Sequence, residues 1–326
     1  MKGERTVREK NQENKTIRTA RRKRAQDLLA VLFFLLLLPY TCSVIGGIAV
    51  EGERDATQAM AGAAKGPYIY MEEKNGVWKV PADEFLTGAL AATIPGEYRT
   101  ETLKAQAVIL RSICRAESGE NGGLEYLTRE ERESLWGEDF AENEERFSQA
   151  VSDTSGIVLA WEGEVVSPPF FRLSAGKTRS GAEIFGQERI PWCHSVECPH
   201  DLEAEEFLQE KRVGREEFFR KLSAEGIDLP KSGAKIVLTR DSAGYVMTVS
   251  CGEARMEGEK FRALFGLPSA CFTLQEEAGE ILLQTKGVGH GLGFDQYSAD
   301  LLAGEGRDYI ELLDCFFAGL TLEKME

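Results

Sequence analysis

An α+β fold, with mixed sheets and hairpins beside helices in one large body behind an N-terminal transmembrane helix, is what this sequence predicts. Three observations carry that prediction. Segments of strand period and of helix period interleave without regular βαβ alternation, which argues against a doubly wound sheet. The 326 residues are 42% hydrophobic and 9% aromatic, ample for a buried core, and no repeat or sustained heptad runs through them. One long uncharged run stands near the N-terminus.

Residues 1–27 carry ten basic residues against four acidic ones. The cluster Arg21-Arg22-Lys23-Arg24 stands just before residues 28–50, LLAVLFFLLLLPYTCSVIGGIAV, which meet no charge until Glu51. About 20 apolar residues cross a hydrocarbon core. The run is long enough, and the cluster before it predicts a cytoplasmic tail, a single-pass anchor in the cell membrane and an extracytoplasmic body. A cleaved signal peptide is the alternative, kept open by the small residues after Tyr40. Residues 51–66 are small and polar and read as a linker, leaving 67–320 as the body. The whole chain has a net charge of −15, and removing the basic tail makes the rest more acidic still. Such a body repels phosphate and excludes a general nucleic-acid binder.

The body opens with YIYMEEKNGVWKVP, two strands around Asn75-Gly76, a strong hairpin signal. Pro81, placed at the first helical position, opens a helix through Phe85, Leu86, Ala89 and Leu90, which Pro95-Gly96 ends. A second helix starts near Thr100 with Leu103, Ala107, Leu110 and Cys114 as its apolar row. Residues 117–146 are rich in Glu and Gly and predict a solvated excursion with short helices. IVLAWEG and EVVSPPFFRLS suggest a second hairpin. After a polar stretch at 201–233, KIVLTRD, YVMTVSC and ARMEG predict strands around short turns, and CFTLQ with EILLQTKG one more pair. The C-terminal YSADLLAGEGRDYIELLDCFF is helical in two pieces broken at 304–306.

Four constellations could carry chemistry. Lys104, Arg111 and Arg115 share one face of the second helix, either a polar-ligand surface or an ordinary solvated face. Cys193, His194, Cys198 and His200 lie within eight residues, ligand types that suit zinc, although the spacing is not a standard finger. A Cys193–Cys198 disulfide, or free thiols, are the other readings. His290 sits in GVGHGLGFDQYSAD, where glycines permit close backbone approach and a nucleotide loop is excluded by pattern. Ser174 in LSAG lacks a nucleophile elbow, HExxH is absent, and no carboxylate pair stands out.

The segment VPADEFLTGALAATIPGEYRTETLKAQAVILRSICRAE resembles, without a gap, the first motif of the stage II sporulation protein D family, whose peptidoglycan-cleaving domain is shared with amidase-enhancer proteins. FFRLSAGKTRSGAEIFG with the CHSVECPHD region, FRALFGLPSACFTL and the C-terminal GVGHGLGFDQYSADLLAGEG resemble it too, over about residues 67–320. The resemblance implies a lytic transglycosylase acting on glycan strands between mother-cell and forespore membranes during engulfment, together with other stage II sporulation membrane proteins. One carboxylic acid would protonate the glycosidic oxygen, and the sugar's own hydroxyl would close an anhydro end. The resemblance also implies substrate-binding roles for Lys104, Gln106, Arg111, Ser174, His290, Gln296 and Tyr297, and a structural zinc near the cysteine–histidine cluster.

The departure is at the acid. Where the family has the Glu of an E-M-P motif, this chain has Thr93 in T-I-P, and a threonine hydroxyl cannot serve as a general acid near neutral pH. Three readings follow: a protein that binds septal peptidoglycan with cleavage weak or lost, an active transglycosylase using a displaced acid such as Glu97, or a zinc hydrolase built on the cysteine–histidine cluster.

Overall fold

The computed structural model describes residues 68–73, 76–117, 123–186, 189–227 and 236–325. The basic tail, the expected anchor and the linker lie outside the described residues. Among the described residues no helix is long and apolar enough to cross a membrane.

The fold is mixed α and β, with five small sheets among the described residues. Strands β1 (Tyr68–Glu73) and β2 (Gly76–Pro81) form the expected hairpin, with Glu73 opposite Gly76. Helix α1 (Ala82–Thr93) follows directly, Pro81 being its N-cap rather than its first helical residue. Helix α2 (Thr100–Ala116) is the central element. Its row Leu103, Ala107, Leu110 and Cys114 packs into one core with α1. A second row, Ala105, Val108, Ile109 and Ile113, packs into another core formed with C-terminal elements. A helix with two apolar rows is one buried on both sides.

The stretch expected to be a solvated excursion is α3 (Arg129–Trp136) and α4 (Phe140–Asp153), a helical pair that closes the first core. Phe147, Ala150 and Val151 of α4 are fully buried there. A three-stranded sheet β13-β3-β4 joins Ile157–Trp161 (β3) and Glu164–Val165 (β4) to the last strand, Thr321–Lys324 (β13). Phe170–Phe171 (β5) pairs in parallel with Phe294–Asp295 (β12), and Gly181–Phe185 forms the short helix α5.

The polar stretch after residue 201 also contains structure: β6 (Leu208–Gly214) and α6 (Arg215–Ala224). β6 is an edge of the sheet β10-β11-β6, with β10 at Phe272–Glu277 and β11 at Glu280–Lys286. Beside it stand the meander β7 (Val237–Arg240), β8 (Val246–Cys251) and β9 (Ala254–Glu257), then α7 (Gly258–Phe265). Phe218, Phe261, Phe265 and Phe272 stack in the core they share, ring centroids 4.5 to 6.2 Å apart. The chain closes with α8 (Gln296–Gly304) and α9 (Tyr309–Phe316), broken as expected at the glycines between them.

Candidate glycan-binding groove and the vacant acid position

A groove of about 840 Å³ opens where the end of α1, the turn after it, the α3–α4 pair, β5 and the start of α8 meet. Thr93, Glu97 and Gln296 all line it. Thr93 is the last residue of α1, and its hydroxyl turns back to donate to the Ala89 carbonyl at 2.8 Å. No titratable group is offered to the groove at this position. The Thr93 carbonyl accepts from Gln296 Nε2 at 2.8 Å, which ties α8 to the end of α1. Behind them Gln106 is fully buried, its Oε1 3.4 Å from Gln296 Nε2 and its own Nε2 without a partner among the described residues. A buried amide N–H left without a protein partner costs about 1–3 kcal/mol.

The rest of the lining escaped the sequence reading. Trp136, Asp139, Glu142, Asn143 and Arg146 come from the α3–α4 pair, and Phe170 to Arg172 from β5 and its end. A helical signal was present, because Asp139, Asn143 and Arg146 fall at i, i+4 and i+7 and so share one face. Arg146 clamps the turn, donating to the carbonyls of Gly96 at 2.9 Å and Tyr98 at 2.5 Å and to Asn143 Oδ1 at 3.1 Å. Arg172 lies 5.2 Å over the Tyr98 ring. Tyr98 is buried with its hydroxyl unpartnered among the described residues, and burial pushes that phenol well above its ordinary value. An indole, amides, two guanidiniums and three carboxylates along an open trough suit a hydroxyl-rich, uncharged polymer better than a compact anion.

Other residues singled out from the sequence stand elsewhere. Lys104 pairs with Glu101 at 3.0 Å and Asp153 at 3.2 Å. Burial pulls its ammonium down, but these carboxylates outweigh that and raise it. Arg111 is buried, donating to the Val151 and Ile157 carbonyls and to Thr154 Oγ1, and burial lowers it to about 10. The basic face of α2 is thus stapled to the end of α4 instead of facing a ligand. Tyr297 is half-buried, its backbone N–H donating to the Arg172 carbonyl at 3.1 Å. His290 lines a second cavity, its ring 5.6 Å from that of Phe171. Burial depresses the His290 pKa, and Nδ1 accepts from the Leu292 N–H at 3.1 Å.

Ser174 is fully buried in a knot of two carboxyls. Its N–H donates to Asp201 Oδ2 and Asp295 Oδ2, both at 2.9 Å, and its hydroxyl to Asp201 Oδ2 at 2.5 Å. Ser298 donates its hydroxyl to Asp201 Oδ1 at 2.6 Å and its N–H to Asp295 Oδ1 at 3.2 Å. Burial first, and the Asp201 charge second, raise the Asp295 carboxyl well above the usual range.

The four residues of the expected zinc set do not share one environment. Cys193 and Cys198 are buried free thiols, whereas His194 and His200 are exposed. Adjacent residues in extended chain point to opposite sides, so the four side chains do not converge and do not fit a tetrahedral ion. Burial raises the Cys193 thiol to about 12, which keeps it protonated. The group of potential ligands that does converge among the described residues is Cys198, Asp201 and Asp295. All four of its carboxyl oxygens already accept hydrogen bonds from the chain itself.

An α+β body with an open, mixed polar and aromatic groove at the end of a buried helix is the class that fold and site define. The model of the family described as Stage II sporulation protein (SpoIID) matches residues 70–161, the stretch from β1 through β3 that contains Thr93. Stage II sporulation protein D of Bacillus amyloliquefaciens is 28% identical over 274 residues, 79% of this chain and 78% of that protein. Its counterpart in Bacillus subtilis (strain 168) is 26% identical over 325 residues, 92% of this chain and 93% of that one. An uncharacterized protein of Brachyspira hyodysenteriae is 22% identical over 253 residues, 74% of this chain and 66% of its own length. The family model and the two Bacillus relatives support the stage II sporulation protein D family for this chain, and that likeness supports a role in sporulation.

Proposed function

We propose that this chain is a membrane-anchored sporulation protein that binds the glycan strands of septal peptidoglycan during engulfment, alongside other stage II sporulation membrane proteins, with strand cleavage weak or lost. The observation that carries the reading is Thr93: the groove is built around the acid's position, and the residue there holds its only hydroxyl against its own helix. A lytic transglycosylase needs one group that can give a proton to the glycosidic oxygen. The anchor would be residues 28–50, whose uncharged length suits a span.

The test is restoration. Full-length protein, wild type and Thr93→Glu, is incubated with peptide-free glycan strands, and mass spectrometry looks for anhydro-ended fragments. Cleavage by the glutamate variant alone is the expected result. Strong cleavage by the wild type would overturn the reading.

A displaced acid is the second reading, and the position of Glu97 on the same groove favours it. It requires that Glu97→Gln abolish wild-type cleavage. Glu97 is exposed to solvent, and this ranks it below the first.

A further inference from the structure

The second cavity, of about 650 Å³, is formed by segments from both sides of the body's sequence: Pro169, Arg179, α5, β8, the start of α7 and the His290 loop. Its polar anchor is Arg179, whose side chain is 6% exposed. Nε donates to Asp241 Oδ2 at 2.6 Å, and Nη1 to the His290 carbonyl at 3.2 Å and Glu259 Oε1 at 3.3 Å. Nη2 finds no oxygen among the described residues, only the Met247 sulfur at 3.1 Å. A thioether is a weak acceptor. A buried guanidinium therefore holds strong donor capacity unspent on the wall of a cavity.

The surroundings restrict what would use it. Asp241 and Glu259 already balance the Arg179 charge, and Glu257 adds another carboxylate to the wall, so an anionic ligand is disfavoured. A neutral oxygen acceptor fits. Beside Thr248 and His290 the remaining wall is mostly apolar, with Ile184, Val246, Met247, Leu292 and Phe185 of α5, which is 48% exposed. An acetamido group has both parts, a carbonyl for Nη2 and a methyl for the apolar wall.

Position adds the rest. Pro169 lines this cavity while Phe170, Phe171 and Arg172, the next residues, line the groove at Thr93. At roughly 3.3 Å per extended residue, Pro169 to Arg172 spans about 10 Å. One extended ligand can occupy both. Resting on the glycan reading above, we propose that the Arg179–Met247–Phe185 cavity is a second saccharide subsite, which takes the N-acetyl group of an amino sugar farther along the strand held at Thr93.

The experiment is calorimetric titration of full-length protein with three-sugar and eight-sugar oligomers of N-acetylglucosamine, and with the eight-sugar oligomer stripped of its acetyl groups. The long acetylated oligomer should bind about ten-fold more tightly than the short one, a difference of about 1.4 kcal/mol. Met247→Gln gives Arg179 Nη2 a neutral carbonyl acceptor of its own, and Phe185→Ala removes the exposed wall. Each should erase the length advantage and leave short-oligomer affinity and thermal unfolding unchanged. The deacetylated oligomer should show no advantage. Retention of the advantage in both variants, or full advantage without acetyl groups, overturns the subsite while leaving the groove reading intact. Wild-type protein that binds no oligomer overturns both.

Discussion

A carboxylic acid at position 93 would stand at the C-terminal end of α1, where unpaired helix carbonyls make a carboxylate costly. Partial burial in the groove wall would act in the same direction. Both effects raise the acid's pKa, as a general acid requires. The Thr93→Glu variant should therefore cleave best in mild acid and lose activity as pH rises through a value above the ordinary glutamate pKa of about 4.3. A pH–rate profile checks this, and a flat profile would show that residue 93 is not the proton donor. The Asp201–Asp295 pair makes a second residue-scale prediction. Asp295 is raised in the folded state by burial and by its neighbour, so the folded protein binds a proton that the unfolded chain gives up. That contribution is full below about pH 3.9 and fades as pH rises through the higher folded value. Asp295→Asn, which can donate to Asp201 without titrating, should flatten the fall in urea midpoint between about pH 4 and about pH 8. An unchanged pH dependence would show that the pair does not share a proton.

At the scale of elements, the α3–α4 pair forms one wall of the groove and hangs on Arg132. This side chain is fully buried, donating to Glu144 through Nε and Nη2 at 2.8 Å each, to Glu84 at 2.9 Å and to the Leu127 carbonyl at 2.7 Å. Removing one partner of such a set strands the others, at about 3–5 kcal/mol. Arg132→Ala should lower unfolding stability by about that much, and a loss near about 0.5 kcal/mol in urea denaturation would mean the pair is held by packing alone. The hydrogen bonds from Arg132 hold the Glu144 carboxyl below its ordinary value, so this part of the stability is lost as pH falls through the depressed pKa.

These helices also show where sequence pattern stops being informative. Hairpin strands with Asn-Gly or short polar turns, the apolar row of α2 through Leu103, Ala107, Leu110 and Cys114, and the glycine break between α8 and α9 are local signals, and all were legible. Arg132 sits in a run of glutamates that reads as a solvated face, and its burial depends on Glu84, 48 residues away in sequence. β6 was missed for a related reason. It is an edge strand with mostly exposed residues, Val213 its one buried side chain, and it is a strand because β11 pairs with it.

Over the whole molecule, the residues read from the sequence as one substrate site separate into three locations. Thr93, Glu97 and Gln296 line the groove with Gln106 behind it, His290 lines the neighbouring cavity, and Lys104, Arg111 and Ser174 staple elements together. Residue type and spacing identify polar side chains held in specific places, but only the packing decides whether they face a ligand or a neighbouring carbonyl. The same holds for the cysteine–histidine cluster, whose closeness in sequence does not become closeness in space. Thr93 differs, because its position relative to the family motif could be read directly and the groove then forms around it. Binding and cutting should accordingly be separable in the natural protein. The most direct measurement exposes full-length wild-type protein to peptide-free glycan strands and records, in one sample, the bound fraction by co-sedimentation and anhydro ends by mass spectrometry. Strands bound and left intact are what the vacant acid position predicts, and anhydro ends accumulating with time would contradict it.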